Sequence, residues 1–388
     1  MKKEDSSKLL LINNFIQSFR WSIVSPFMPL FYYSLAGSFA VLNIVNYSSS
    51  IIASIFAIIW ARISDSYGRR KPFIILSYIT GIATTYMLAH INTIYELLIL
   101  KIAGSIIGSA GGSSFSALLA KKFKNNRGKV LGTYNALGIA GGIIGNLISG
   151  YIYENYGIRA TLEYISYSTV IPLAIVLLID EEPEERKPLD IKSMFKPPKI
   201  PKSFIKYYLY HLYVCGKGAV TGGIYAIYFI NYLGGSPQEW AMVVTLTSFL
   251  SLSSPFFGSL VDKYGVKFAY YYSAIGWILL DIGYILANDP VTFAIIFVLP
   301  ISAAYWVAYN KIIFDASDKS ERASFFSYLG LISSLSSMAI GVTAGYIADM
   351  FDPRSLLIIS AILSVTGLIP LRILFRDECL HRRLCSIK

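Results

Sequence analysis

Charge is scarce in this 388-residue chain: Asp, Glu, Lys and Arg make up 15% of it, against about 25% in an ordinary soluble domain. Cysteine and histidine are scarcer, with three of each. Three cysteines make no disulfide framework, and Cys379 and Cys385, flanking His381 near the C-terminus, are read as incidental rather than as a metal site. The chain has no Gly-x-x-x-x-Gly-Lys-Ser/Thr phosphate cradle, so nothing in it calls for ATP. It also has no metal-binding helix pair, no serine nucleophile elbow and no soluble domain to relay a signal. An enzyme, a receptor and a cofactor-bearing protein are accordingly not expected.

Apolar residues are what the chain has in abundance, at 55% with a mean hydropathy of +0.55. They fall into twelve stretches, approximately 9–35, 39–61, 72–91, 94–119, 129–153, 161–180, 204–232, 238–261, 267–287, 291–314, 323–347 and 354–375. Each suffices for a helix of about 20 residues, enough to cross roughly 30 Å of hydrocarbon. We refer to them as spans 1 to 12. Span 1 follows Met1-Lys2-Lys3 like a signal peptide, but it is too long, holds Arg20 near its middle and precedes eleven more spans, so it is expected to be retained.

A net charge of +11 would suggest nucleic acid in a soluble protein. Its distribution excludes that here. With the N-terminus inside, 28 of the 34 Lys and Arg residues fall in cytoplasmic segments, and only Arg159 and Arg354 fall in outer loops. This asymmetry predicts an integral protein of the cell membrane with both termini cytoplasmic. The other four cations, Arg20, Lys101, Lys217 and Lys311, lie inside spans.

The longest loop joins spans 6 and 7 and carries Asp180-Glu181-Glu182-Pro183-Glu184-Glu185-Arg186-Lys187-Pro188 and Lys196-Pro197-Pro198-Lys199-Ile200-Pro201-Lys202. Proline and mixed charge keep such a segment out of helix and in water. The expected organisation is a first six-helix bundle (1–180), a cytoplasmic linker (181–203), a second bundle (204–376) and a cytoplasmic tail (377–388). The two bundles repeat one another. Asp65 and Asp262 are 197 residues apart; Gly150-Tyr151-Ile152 returns as Gly345-Tyr346-Ile347 and Arg127 as Arg322, both 195 residues on. A repeat of apolar spans at this period marks a transporter built from parallel halves around a central pathway.

The loop after span 2, Ala61-Arg62-Ile63-Ser64-Asp65-Ser66-Tyr67-Gly68-Arg69-Arg70, resembles the loop 2–3 signature of the major facilitator superfamily, with Ala61 where glycine is usual. Gly258-Ser259-Leu260-Val261-Asp262-Lys263-Tyr264-Gly265-Val266-Lys267 resembles its second-half copy. Independently of the family, Gly68 permits a reversal too tight for a side chain, and Asp65 can face a helix N-terminus or an arginine. The resemblance implies an all-α membrane protein of twelve helices in two pseudo-symmetric six-helix bundles, working by alternating access. It further implies that Asp65, Gly68, Arg69 and Arg70, with Asp262, Gly265 and Lys267, form a cytoplasmic latch. Gly141-x-x-x-Gly145-Asn146-x-x-Ser149-Gly150 in span 5 resembles the family's antiporter motif, with Asn146 in place of proline and Ser149 in place of glycine. Small residues at this spacing let helices approach closely in lipid.

A charge near the bilayer centre costs roughly 2.5–3.5 kcal/mol on insertion scales, so each one needs a reason. Arg20 and Lys217 are 197 residues apart, the same interval as the two loop aspartates. In the family helices 1 and 7 line the cavity, and this pattern resembles its organophosphate exchangers, which clamp an anion between symmetric cations. Lys101, in span 4, roughly holds the place of the arginine in the family's helix 4 motif, with Gly104 and Gly108 following. Lys311 is expected to snorkel and to contact Asp315. Asp281 is the one clearly embedded acid; it is placed either to carry protons or to neutralise a neighbouring cation. With cations at 20, 101 and 217 and no acid assigned to them, the cavity is expected to be electropositive. Gln17, Asn135, Tyr225 and Trp306 are further candidates for its lining.

The expected function is secondary active transport of a small organic or phosphorylated anion, with Arg20 and Lys217 as the clamp and Lys101 assisting. The alternative is proton-coupled export of lipophilic drugs or metabolites. The expected partners are a small-molecule substrate, the bilayer and protons as coupling ion, with no nucleic acid, in a monomer.

Overall fold

The computed structural model describes residues 3–122, 127–181, 199–317 and 322–376. Most of the linker and the tail, with Cys379, His381 and Cys385, lie outside the described residues. Among the described residues the regular structure is helical, and eight stretches are long and apolar enough to cross a membrane. Two of these, Gly132–Leu178 and Pro237–Leu286, are 47 and 50 residues long. At 1.5 Å per residue either is more than twice the ~30 Å of hydrocarbon. Each is broken at a glycine of positive φ, Gly157 (72°) and Gly265 (82°). They supply spans 5 and 6 and spans 8 and 9.

Spans 1 and 7 complete the twelve, and both are interrupted helices. Span 1 runs as Lys3–Val24 and Met28–Ala36 around a 3₁₀ turn at Ser25–Phe27, where Pro26 cannot donate to the helical ladder. Span 7 runs as Lys202–Thr221, then Ile224–Ile227 and a π turn over Tyr228–Tyr232, with the break at Gly222 and Gly223. They are less apolar than their neighbours because they carry Asn13, Asn14, Gln17 and Arg20 in one, and His211 and Lys217 in the other.

The backbone repeats as the sequence does. Gly68 closes span 2 in the left-handed region at φ 74°, with its N–H on the Ser64 carbonyl at 3.2 Å, and Gly265, 197 residues later, also takes a positive φ (82°) where span 8 gives way to span 9. Only glycine adopts these angles without strain, so the sharp reversal after each loop aspartate is written into the residue type.

Small residues set the helix crossings. A Cβ at Gly141 would lie 2.4 Å from the Phe15 carbonyl oxygen, and one at Gly145 would lie 2.2 Å from that of Phe19. Span 5 therefore rides directly on the span 1 backbone, as close packing in lipid requires. Gly150 meets Gln238 of span 8 and Gly345 meets Ala40 of span 2, so the same device joins one half to the other.

The apolar cores show where the halves meet. One cluster mixes Phe27, Phe31 and Leu42 of the first half with Ile227, Phe229 and Trp240 of the second. It lies towards the face that holds the turn after span 1. At the opposite face, which holds Asp65 and Asp262, there are two separate cores: Leu10, Ile74 and Leu118 in one half, and Tyr208, Tyr270 and Phe325 in the other. The halves are sealed together at one face and separately packed at the other.

Candidate functional site: the cavity between the halves

The seal has pseudo-twofold symmetry. Asp349, at the end of span 11, accepts hydrogen bonds from Phe39 N (2.7 Å), Ala40 N (3.2 Å) and Ser38 Oγ (2.5 Å) at the start of span 2. Glu154, at the end of span 5, accepts from Gln238 N (3.2 Å) and Gln238 Nε2 (2.6 Å) at the start of span 8. A carboxylate on the N-terminus of a helix satisfies free N–H groups and opposes the helix dipole favourably. The two acids are 195 residues apart and each stands two residues after Gly-Tyr-Ile. The repeated tripeptide is legible in the sequence, but nothing there singled out Glu154 or Asp349. Trp240 adds a hydrogen bond from its indole N–H to the Pro26 carbonyl at 3.1 Å.

At the other face Asp65 and Asp262 each take a cation from their own half. Asp65 pairs with Arg70, whose guanidinium also donates to Ser64 Oγ at 2.6 Å, and Asp262 pairs with Lys311 at 2.6 Å. Glu181 accepts from the backbone N–H groups of Arg70 (2.6 Å) and Lys71 (2.8 Å), tying the end of span 6 to the start of span 3. The expected contact of Lys311 with Asp315 gives way to Asp262, because the span 8 loop brings a carboxylate within direct reach. Arg69 is exposed.

Arg20 and Lys217 occupy equivalent places in the repeat, and the structure treats them differently. Arg20 is buried at 6% exposure, and four of its five N–H donors are taken within the first half. Nε donates to Ser168 Oγ at 2.7 Å, one Nη to Gln17 Oε1 at 2.5 Å, and the other to the Ile165 carbonyl and Thr169 Oγ1. Nearby, Tyr78 donates to Asn13 Oδ1, Asn13 to the Pro172 carbonyl and Asn14 to the Tyr134 carbonyl, at 2.7–2.8 Å. These groups line a cavity of about 550 Å³ inside the first half, but their polarity is consumed in binding spans 1, 3, 5 and 6 together. Gln17 belongs to this network.

Lys217 instead meets a carboxylate: its Nζ lies 3.0 Å from Asp281 Oδ2, with the Trp277 ring centroid 5.4 Å away. Asp281 is 1% exposed and also accepts from Ser360 Oγ (3.0 Å) and Ser364 Oγ (2.5 Å) on span 12. The expectation of an unneutralised cation at 217 is corrected: span 9 reaches far enough inward to place its acid on the lysine. Ser360 and Ser364 were missed, although hydroxyls at i and i+4 on one helix face are a legible acceptor-seeking pair.

Lys217 and Asp281 line a cavity of about 810 Å³ at the inner side of the second half. Its walls include Tyr225, Tyr284, Phe297, Trp277 and Trp306, and Tyr47 of the first half closes it. Tyr225, Trp306 and Asn310 are among the residues that line it. Asn135 is exposed and lies outside this lining. An adjoining cavity of about 420 Å³ shares Tyr47 and Gly222 and contains Lys101. The clamp of Arg20 and Lys217 is not what this geometry builds; it builds one anchored arginine, one buried ion pair and one cation, Lys101, in a cavity that both halves line.

Comparison with known proteins agrees with this architecture. The chain is 28% identical over 294 residues to the multi-drug resistance efflux pump PmrA of Streptococcus pneumoniae, covering 71% of this chain and 73% of that one. It is 26% identical over 275 residues to the multidrug resistance protein MdtG of Serratia proteamaculans, covering 65% of this chain and 64% of that protein. Among solved structures, the nucleoside transporter NupG superposes with a TM-score of 0.74 at 15% identity, covering 95% of this chain and 99% of that one. A bacterial homologue of the human lysosomal transporter Spinster, solved inward-facing and unoccupied, gives 0.69 at 14% identity, covering 96% and 97%. These structures share the fold. The model of the Major Facilitator Superfamily matches twice, over residues 10–215 and 207–383. The chain belongs to that superfamily, as a membrane transporter and not an enzyme.

Proposed function

We propose that this chain is a proton-coupled exporter of lipophilic compounds, and that the structure represents its inward-open state. The carrying observation is the Lys217–Asp281 ion pair set in the wall of an aromatic cavity between the halves. A buried pair is a poor source of stability, since desolvation offsets most of the attraction, so its presence in a transport cavity asks for another role. A proton placed on Asp281 neutralises it and releases Lys217, and loss of the proton restores the pair. Ser360 and Ser364 hold the carboxylate oriented in the ionised form and can accept from the protonated one. Proton occupancy and the position of spans 7, 9 and 12 are thereby linked. The relatives PmrA and MdtG, named as drug pumps, support the same reading.

The charge asymmetry of the loops supports a cytoplasmic Asp65 face. The sealed face, held by Glu154 and Asp349, is then the outer one, and Asp65 and Asp262 sit in a released latch. Rocking the halves would break the outer acid caps and bring the two loops together.

The test is efflux from cells loaded with a set of lipophilic fluorophores, with and without expression of the chain. Faster efflux that stops when an uncoupler collapses the proton gradient is expected. Efflux unchanged by expression, or persisting at full rate without a gradient, would overturn the proposal.

A further inference from the structure

We infer that the lipophiles carried bear an anionic head group, a carboxylate or its chemical equivalent, received by Lys101 together with Asn46, Tyr47 and Ser105. This rests on the export reading and names the substrate class of the same cavity.

The inference comes from asking what each polar group in the cavity already does. The smaller compartment, about 420 Å³, is bounded by span 2, span 4 and the Gly222–Gly223 break of span 7. Some of its polar side chains are committed. Asn43 donates to the Gly341 carbonyl at 2.7 Å, Ser49 to the Val45 carbonyl at 2.6 Å and Ser50 to the Asn46 carbonyl at 2.9 Å. Four others are not. Lys101 Nζ faces only the ring of Tyr32, 4.7 Å from its centroid, and among the described residues no carboxylate or hydrogen-bond acceptor reaches it. The side chains of Asn46, Tyr47 and Ser105 likewise make no hydrogen bond among the described residues.

An ammonium, an amide, a phenol and a hydroxyl left over together form a set dominated by donors. Of the four cations inside the spans, Arg20, Lys217 and Lys311 have protein partners, and Lys101, without one among the described residues, marks a place for a ligand's negative charge. The adjoining compartment has the opposite character. It is larger, at about 810 Å³, it is walled by Tyr225, Trp277, Tyr284 and Trp306, and its own cation is neutralised by Asp281. Tyr47 and Gly222 line both. A single molecule lying across that boundary would place one anionic group at Lys101 and an apolar, aromatic body against the second half. A quaternary ammonium in the same pose would set like charge beside Lys101.

Three fluorescent amphiphiles sharing one aromatic body and ending in a carboxylate, a primary amide or a quaternary ammonium are titrated into the purified full-length protein. The carboxylate is expected to bind at least about tenfold tighter than the ammonium. Lys101→Gln is expected to bring the carboxylate down to the amide's affinity while leaving the amide unchanged. If Lys101→Gln loses the amide as well and so fails to fold, Asn46→Asp carries the test: an acid beside Lys101 should weaken the carboxylate at least about tenfold more than the amide. An ammonium that binds as tightly as the carboxylate overturns the inference, as does carboxylate affinity untouched by both variants. In that case amide binding and export would leave the export reading standing. If none of the three binds, the export reading falls and this inference with it.

Discussion

Arg20 and Lys217 are one position seen twice, 197 residues apart on the cavity helix of each half, yet they solve the problem of a buried charge in unlike ways. Arg20 is held by two hydroxyls, a backbone carbonyl and the Gln17 amide oxygen, groups that do not titrate, and its planar fork reaches all four at once. Lys217 is held by a carboxylate that can gain a proton. The first arrangement fixes spans 1 and 6 against each other permanently. The second can be switched. On the proposed proton-coupled reading, the first half keeps a rigid version of the pattern and the second a responsive one, which is where that reading puts the coupling.

The comparison breaks most visibly if each cation is removed. Lys217→Met strands a carboxylate that is 1% exposed, and a loss of about 3–5 kcal/mol in unfolding free energy is expected. The double variant Lys217→Met, Asp281→Leu should recover most of that loss, because replacing a buried pair with apolar residues is often neutral. Thermal unfolding in detergent reads both. Arg20→Met should cost less, about 1–3 kcal/mol. The Ser168 and Thr169 hydroxyls it abandons already donate to the Ile165 carbonyl at 2.9 Å and stay satisfied. Arg20→Met should also have no rescuing partner substitution, and a loss equal to that of Lys217→Met would erase the distinction.

The outer seal gives smaller effects. A Cβ at Gly345 would lie 2.6 Å from the backbone of Ala40, so Gly345→Val should wedge spans 2 and 11 apart and shift the population towards the outward-open form. Distances between spin labels on the two halves would report it. Glu154→Gln and Asp349→Asn each weaken one acid cap, with a population shift of about two- to fivefold per site expected. Equal shifts from the two substitutions would support the pseudo-symmetry of the seal; a shift from only one would break it.

Much of this was legible in the sequence, for identifiable reasons. The twelve crossings follow from apolar run length alone, and the reversals at Gly68 and Gly265 follow from a residue type that tolerates positive φ. The repeat interval put Arg20 and Lys217 at matching depth. What it did not disclose was which way each side chain turns. Asp281 reaches Lys217 across 64 residues of chain, and Arg20 finds span 6 some 145–149 residues away. Those pairings depend on how helices rotate about their axes when packed, which run length and spacing leave open. The same holds for Asn135: that it is exposed and outside the lining of the 810 Å³ cavity could not be read from its place in span 5. The acid caps were in the text all along, as Glu154 and Asp349 after matching Gly-Tyr-Ile triplets, and needed only the repeat to be followed two residues further.

The central claim, that the Lys217–Asp281 pair couples protons to transport, is tested most directly in liposomes containing the variant Lys217→Gln, Asp281→Asn. This replacement keeps the shape of the pair and removes both charges. Two rates are measured with one lipophilic substrate: uptake driven by an imposed pH gradient, and exchange of substrate for substrate with no gradient. The account predicts that gradient-driven uptake is lost while exchange continues near the wild-type rate. Gradient-driven uptake at the wild-type rate would contradict it.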